Sequence, residues 1–106
     1  MKITVVITQK NPEQVFTAFR FANFALGKED NVTVFLTAEG VEAIRLDEPD
    51  FDIRGQITAF NSGGGQILAC GTCMKLRELD DKGICSISTM KDLYDMVLVS
   101  DRVMNF

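Results

Sequence analysis

With 106 residues, 46% of them hydrophobic and 25% charged, the chain suits one globular domain and leaves no room for separate catalytic and substrate domains. A formal charge of −4 with no basic cluster argues against a nucleic-acid partner, because a phosphate backbone is repelled. Histidine is absent, which removes Ser-His-Asp, Cys-His and histidine-based metal sites within one chain and leaves chemistry to cysteine, carboxylate, lysine or backbone.

Lys2 to Thr8 is β-branched and almost continuously apolar, which predicts a parallel strand in the middle of a sheet, covered on both faces. Asn11 is placed to cap a helix whose first turn holds Pro12 and Glu13. Val15, Phe19, Ala22 and Leu26 then recur at helical spacing before Gly27 ends it. At about 100° per residue, Phe24 falls with Glu13, Thr17 and Arg20 on the opposite face, so one large ring points away from the monomer core. It reads as a stray exposed side chain or an oligomer contact.

Asn31 to Thr37 is a second strand, Ala38-Glu39-Gly40 begins a short helical piece, and Asp47-Glu48-Pro49-Asp50 is a surface loop. Ile53, Ile57 and Phe60 mark another helix, closed by Asn61-Ser62-Gly63-Gly64-Gly65. These glycines follow a helix and precede a strand, the reverse of a phosphate-cradling loop, and so read as a stop and turn. Gln66 to Ala69 is the third strand. In Ile67-Leu68-Ala69-Cys70-Gly71-Thr72-Cys73-Met74-Lys75 it hands over to a helix at two thiols, where free amides and the positive end of a helix dipole favour a thiolate.

Met74 to Leu79 continues as a short helix, Asp80-Asp81-Lys82-Gly83 turns, and Ile84-Cys85-Ser86-Ile87 is a fourth strand with Cys85 as inert core. Thr89 and Asp92 resemble a capping pair, the next helix carries Met90, Leu93 and Val97 on one face, and Arg102 to Phe106 is a fifth strand. This alternation predicts a single domain over residues 1–106. Its fold is a three-layer α/β/α sandwich with a mostly parallel five-stranded sheet, which binds ligands beyond the carboxyl ends of its strands, where Cys70 falls. No apolar stretch approaches the roughly 20 residues that cross a bilayer, and Met1-Lys2 leads straight into a strand. The expectation is therefore a soluble cytoplasmic protein, without membrane partner, whose odd number of cysteines stays mostly reduced.

Cys-x-x-Cys spacing serves three chemistries. Structural zinc needs four ligands, and only three cysteines exist unless Cys85 or another subunit joins. Thioredoxin-like exchange places the pair after an early strand and opposite a cis-proline, whereas here it lies two-thirds along and the prolines are Pro12 and Pro49. Sulfur transfer, in which a thiolate accepts a sulfur atom as a persulfide and passes it on, requires neither histidine nor metal. Two plainly packed cysteines remain the alternative. Flavin binding is disfavoured because Thr8-Gln9-Lys10-Asn11 lacks the character of a phosphate cradle.

The chain resembles the DsrE/DsrF-like family of small sulfur-oxidation and sulfur-relay proteins, including the DsrE-like domain of YedF-type selenium-metabolism proteins. The resemblance is carried by Lys2-Ile3-Thr4-Val5-Val6-Ile7, by Val32 to Leu36 with Glu39-Gly40-Val41, by the segment from Ile67 to Cys73, and by Ser100 to Phe106. It implies a domain that assembles as a dimer, trimer or hexamer and carries a persulfide on Cys70. Cys73 matches the second cysteine of the family's Cys-Gly-Thr-Cys variant, and Arg77-Glu78-Leu79-Asp80 replaces a Gly-containing turn. With no sulfur-carrier domain preceding it, the chain is expected to meet donor and acceptor proteins on other chains. The resulting assignment is a sulfurtransferase-like homo-oligomer. Cys70 is its carrier and Cys73 resolves or shares the sulfur. The Gly71 and Thr72 amides, with that of Cys73, stabilise the anion, Lys75 and Arg77 add positive charge, and no cofactor or metal takes part. Its rivals are a dithiol redox protein and a non-enzymatic interaction module.

Overall fold

The structure, a computed structural model, describes residues 1–106. Its strands are β1 (Lys2–Ile7), β2 (Asn31–Leu36), β3 (Gln66–Cys70), β4 (Ser86–Ser88) and β5 (Arg102–Asn105). They form one all-parallel sheet in the order β4-β3-β2-β1-β5. The helices are α1 (Pro12–Gly27), α2 (Ile53–Ser62), α3 (Gly71–Leu76) and α4 (Met90–Val99), with a 3-10 helix at Ala38–Arg45. The chain steps outward from β1 to β4, then returns through α4 to place β5 on the free side of β1. Because parallel crossovers are right-handed, that reversal puts α4 on the face opposite α1 and α2. The sheet is therefore the middle of three layers, as expected. Its central strand, however, is β2, and β1 lies between β2 and β5, since the long return of the chain was not encoded in the apolarity of either strand.

Local chemistry explains the elements. Asn11 Oδ1 accepts the Gln14 N–H at 3.1 Å and Pro12 fills the first turn of α1, whose Val15, Ala18, Phe19, Ala22 and Ala25 are buried. Glu29 takes φ 67° to turn the chain after Gly27. In register, Val5, Val34 and Ile67 form one row of the sheet, and Val6, Phe35, Leu68 and Ser86 form the adjacent row on the other face. Phe24 is 68% exposed, as its helical phase requires, with Lys28 Nζ 5.4 Å from its ring centre.

Two boundaries and one helix face differ from expectation. The fourth strand begins at Ser86, because Asp81 holds the preceding turn: its carbonyl accepts the Ile84 N–H and its carboxylate the Gly83 N–H, both at 2.9 Å. Ile84 and Cys85 thus fall outside the strand. Helix α3 starts at Gly71 and closes at Leu76, with Glu78 in the left-handed region at φ 52°. In α4, Leu93 and Met96 turn partly inward while Met90 and Val97 stay exposed. Asp92 accepts from Ser88 Oγ at 2.8 Å and Ser100 Oγ pairs with Thr4 Oγ1 at 2.6 Å. The stripe Leu93, Met96, Ser100 therefore faces the sheet, so of the expected stripe Met90, Leu93 and Val97 only Leu93 does.

Candidate functional site

Cys70 is the last residue of β3 and the N-cap of α3, and Cys73 stands one turn further on. Leu36 pairs with Ala69, so the chain leaving β2 passes beside Cys70, and Thr37 and Ala38 arrive at the level of the thiols. Ala38 adopts φ 52°, a left-handed conformation that costs a non-glycine residue about 1–2 kcal/mol. In that conformation its N–H donates to Cys73 Sγ at 3.2 Å, and Thr37 Oγ1 lies 3.7 Å from the same sulfur. Gly40 makes the approach possible. A Cβ there would stand 2.0 Å from the Ile7 carbonyl oxygen, which also accepts the Thr37 N–H at 3.0 Å. Gly71 plays a similar part for β4, because a Cβ would lie 3.0 Å from Ile87 Cγ2 and 3.3 Å from the Ser88 carbonyl oxygen.

The two thiols differ. Cys70 is only 5% exposed and belongs to the hydrophobic core, whereas Cys73 is half-buried. Burial works against ionisation of Cys73. Hydrogen bonds to its sulfur from Thr37, Ala38 and Cys70, with the charge of Arg77, outweigh it and hold the thiol below its ordinary value. Arg77 Nη1 donates to the Cys73 carbonyl at 3.2 Å while its Nε meets Glu42 Oε2 at 3.1 Å. Glu42 also meets Lys10 Nζ at 3.6 Å, so one carboxylate ties the β1–α1 loop, the 3-10 helix and the end of α3 around the site.

The structure thus brings together Cys70, Cys73 and Arg77, and adds Thr37 and Ala38, which sequence reasoning missed. Gly71 and Thr72 lie at the start of α3, but Cys70 caps none of its amides through its side chain, and the N–H that reaches a thiol crosses from the neighbouring loop. Lys75 is exposed and makes no ion pair. Cys85 precedes β4 about three residues, or roughly 10 Å, before the level of Cys70, so it does not join the pair. Burial, with Asp81 nearby, pushes its thiol up to about 11. The largest cleft, about 510 Å³, runs between Arg45, Arg54, Thr58 and Lys82 and does not touch the thiols. Of the three thiols, Cys73 is the one that is not buried.

A model of the DsrE/DsrF-like family matches residues 1–106. The chain belongs to that family. It is 30% identical over 114 residues to an uncharacterized protein of Methanocaldococcus jannaschii, covering all of both chains. It is 31% identical over 112 residues to an uncharacterized protein of Methanopyrus kandleri, covering 98% of this chain and 93% of that one. Among solved structures, the YchN protein of E. coli is similar with a TM-score of 0.85 at 22% identity, each chain fully covered. A protein of unknown function from Bacteroides thetaiotaomicron is similar at 0.79 and 16%, covering 99% of this chain and 94% of that one. These likenesses establish the DsrE-like fold. No helix of this family member is long and apolar enough to cross a membrane.

Proposed function

We propose that the chain carries sulfane sulfur as a persulfide on the Cys70–Cys73 pair and relays it between a donor and an acceptor protein. The observation that carries this reading is the Ala38 N–H at 3.2 Å and the Thr37 hydroxyl at 3.7 Å from Cys73 Sγ, an anion-favouring pocket on a reachable thiol. In the transfer, a thiolate attacks the outer sulfur of a donor persulfide. The new S–S bond forms as the donor's breaks, and the donor's sulfur leaves as thiolate. Delivery to the acceptor is the same exchange in reverse order, and neither histidine nor metal takes part. Incubating the reduced protein with a cysteine desulfurase and cysteine, then locating added sulfur by mass spectrometry, tests this; sulfur on neither residue rejects it.

A homo-oligomer is part of the same reading. Tyr94 and Leu98 of α4 are each 65% exposed, and Met90, Val97, Val99 and Val103 are exposed near them. A contiguous apolar surface of this kind is uncommon on a monomer, and a two-fold contact of α4 with its copy covers it on both chains at once. Sedimentation at micromolar concentration checks it, a single monomer boundary being the adverse result. The burial of Cys70 supports the rival interaction module, in which the cysteines only pack. Alkylation separates the two. The relay reading requires Cys73 to be labelled in the folded chain, and the packing reading requires labelling only after unfolding.

A further inference from the structure

The two sulfurs of the pair are neighbours with unequal access. Cys73 is half-buried, with its Sγ receiving the Ala38 N–H, whereas Cys70 lies in the core as the N-cap of α3, three residues before it on the same helix start. A donor protein therefore meets Cys73 first, and the second thiol of the pair is the buried one. Resting on the relay reading, we infer that Cys73 accepts the sulfur and that, when no acceptor protein takes it, Cys70 displaces it as hydrosulfide, leaving a Cys70–Cys73 disulfide.

The step balances within the chain. Cys70 sulfur attacks Cys73 Sγ of the Cys73 persulfide, the Cys70–Cys73 bond forms, and the bond from Cys73 Sγ to the outer sulfur breaks. The outer sulfur leaves with the bonding pair and takes up the proton that Cys70 gives up. The two cysteine sulfurs are oxidised, the sulfane sulfur is reduced to sulfide, and no outside oxidant is needed for one turnover. Repeated turnover requires a dithiol or thiol reductant to reopen the disulfide. Geometry favours closure, since the N-cap of α3 and the position one helical turn later lie on the same side of the helix start, where two cysteines can be bridged with little backbone movement. It disfavours the reverse order, because a persulfide on Cys70 is shielded from the acceptor.

The experiment uses reduced full-length protein and an equimolar amount of glutathione persulfide. Released hydrosulfide is trapped with monobromobimane and sulfur is mapped by mass spectrometry at successive times. The wild-type chain is expected to show added sulfur on Cys73 at early times, then stoichiometric hydrosulfide and a chain at the disulfide mass. Cys70→Ser is expected to hold its added sulfur on Cys73 without releasing hydrosulfide, and Cys73→Ser to take up sulfur about tenfold or more slowly. The early-time map needs no substitution, so it stands even if a variant folds poorly. Sulfur that appears first on Cys70, or remains on the wild-type chain without hydrosulfide, overturns the inference and leaves the relay intact. No uptake at all by the wild-type chain overturns the relay reading and the inference with it.

Discussion

The two faces of one sheet are finished to different degrees. On the face covered by α1 and α2, Val15, Phe19 and Ala22 meet Ile57 and Phe60 over the buried row Val5, Val34 and Ile67, and Phe19 packs edge-on to Phe60 with ring centres 6.0 Å apart. On the other face no residue of α4 is buried, and Leu68 is only partly covered. That helix is held at its ends by polar ties, Ser88 to Asp92 and Thr4 to Ser100, which orient it without hiding its hydrocarbon. Hydrocarbon burial scales with area removed from water, whereas a hydrogen bond exchanged with solvent contributes about 1 kcal/mol. The first face thus supplies most of the fold's stability, and the second leaves the hydrocarbon of α4 exposed.

The sharpest way to break this contrast is to truncate one large apolar side chain on each face. Phe19→Ala leaves a cavity beside Phe60 and is expected to cost about 3–5 kcal/mol, read as a lowered denaturant midpoint. Leu98→Ala on α4 is expected to change the stability of the monomer by less than about 0.5 kcal/mol. Comparable losses at the two positions refute the asymmetry. Next in size is Gly40→Ala, whose Cβ meets the Ile7 carbonyl and forces the 3-10 helix away from β1. The expected cost is about 1–3 kcal/mol, together with slower alkylation of Cys73 as the Ala38 N–H moves off. Destabilisation with unchanged Cys73 reactivity would detach the glycine from the site.

Local rules carry the first face and fail on the second for a physical reason. The Asn11 cap, the Val15-Phe19-Ala22 stripe and the Ile53-Ile57-Phe60 stripe are set by contacts within a few residues, and all are present. The rotation of α4 is set by polar ties, one of them from Ser100 to Thr4 at the far end of the sequence, so a hydrophobic stripe could not report it. The thiol pair was legible from its spacing and its place at a strand end. The Ala38 donor was not, because alanine carries no mark of a left-handed turn. Gly40, two residues on, was the only local hint that backbone there runs against backbone.

On the α4 face, Tyr94→Glu with Leu98→Glu puts two carboxylates into the exposed apolar stripe. The pair is expected to shift the chain to monomer in sedimentation while changing intrinsic stability by less than about 1 kcal/mol. An unchanged boundary moves the interface elsewhere, with Phe24 the next surface to alter.

The smallest effect is the most specific. Thr37→Val keeps the shape of the side chain and the Ala38 N–H but removes one hydrogen-bond donor to Cys73 Sγ. Losing one of several thiolate donors raises the midpoint of the alkylation pH profile of Cys73 by less than about one unit, a few-fold in rate at neutral pH. The sign extends to stability. A thiol held below its ordinary value binds fewer protons folded than unfolded in the window between the two values, so it stabilises the fold as the pH rises through that window and loses this as the pH falls. Cys85, raised to about 11, has the opposite sign and destabilises the fold as the pH climbs from 9 toward 11. Thr37→Val narrows the first effect and leaves the second alone, so a profile that moves for Cys85 but not for Cys73 places the influence of Thr37 on the fold at large, and one that moves for Cys73 alone places it on the sulfur.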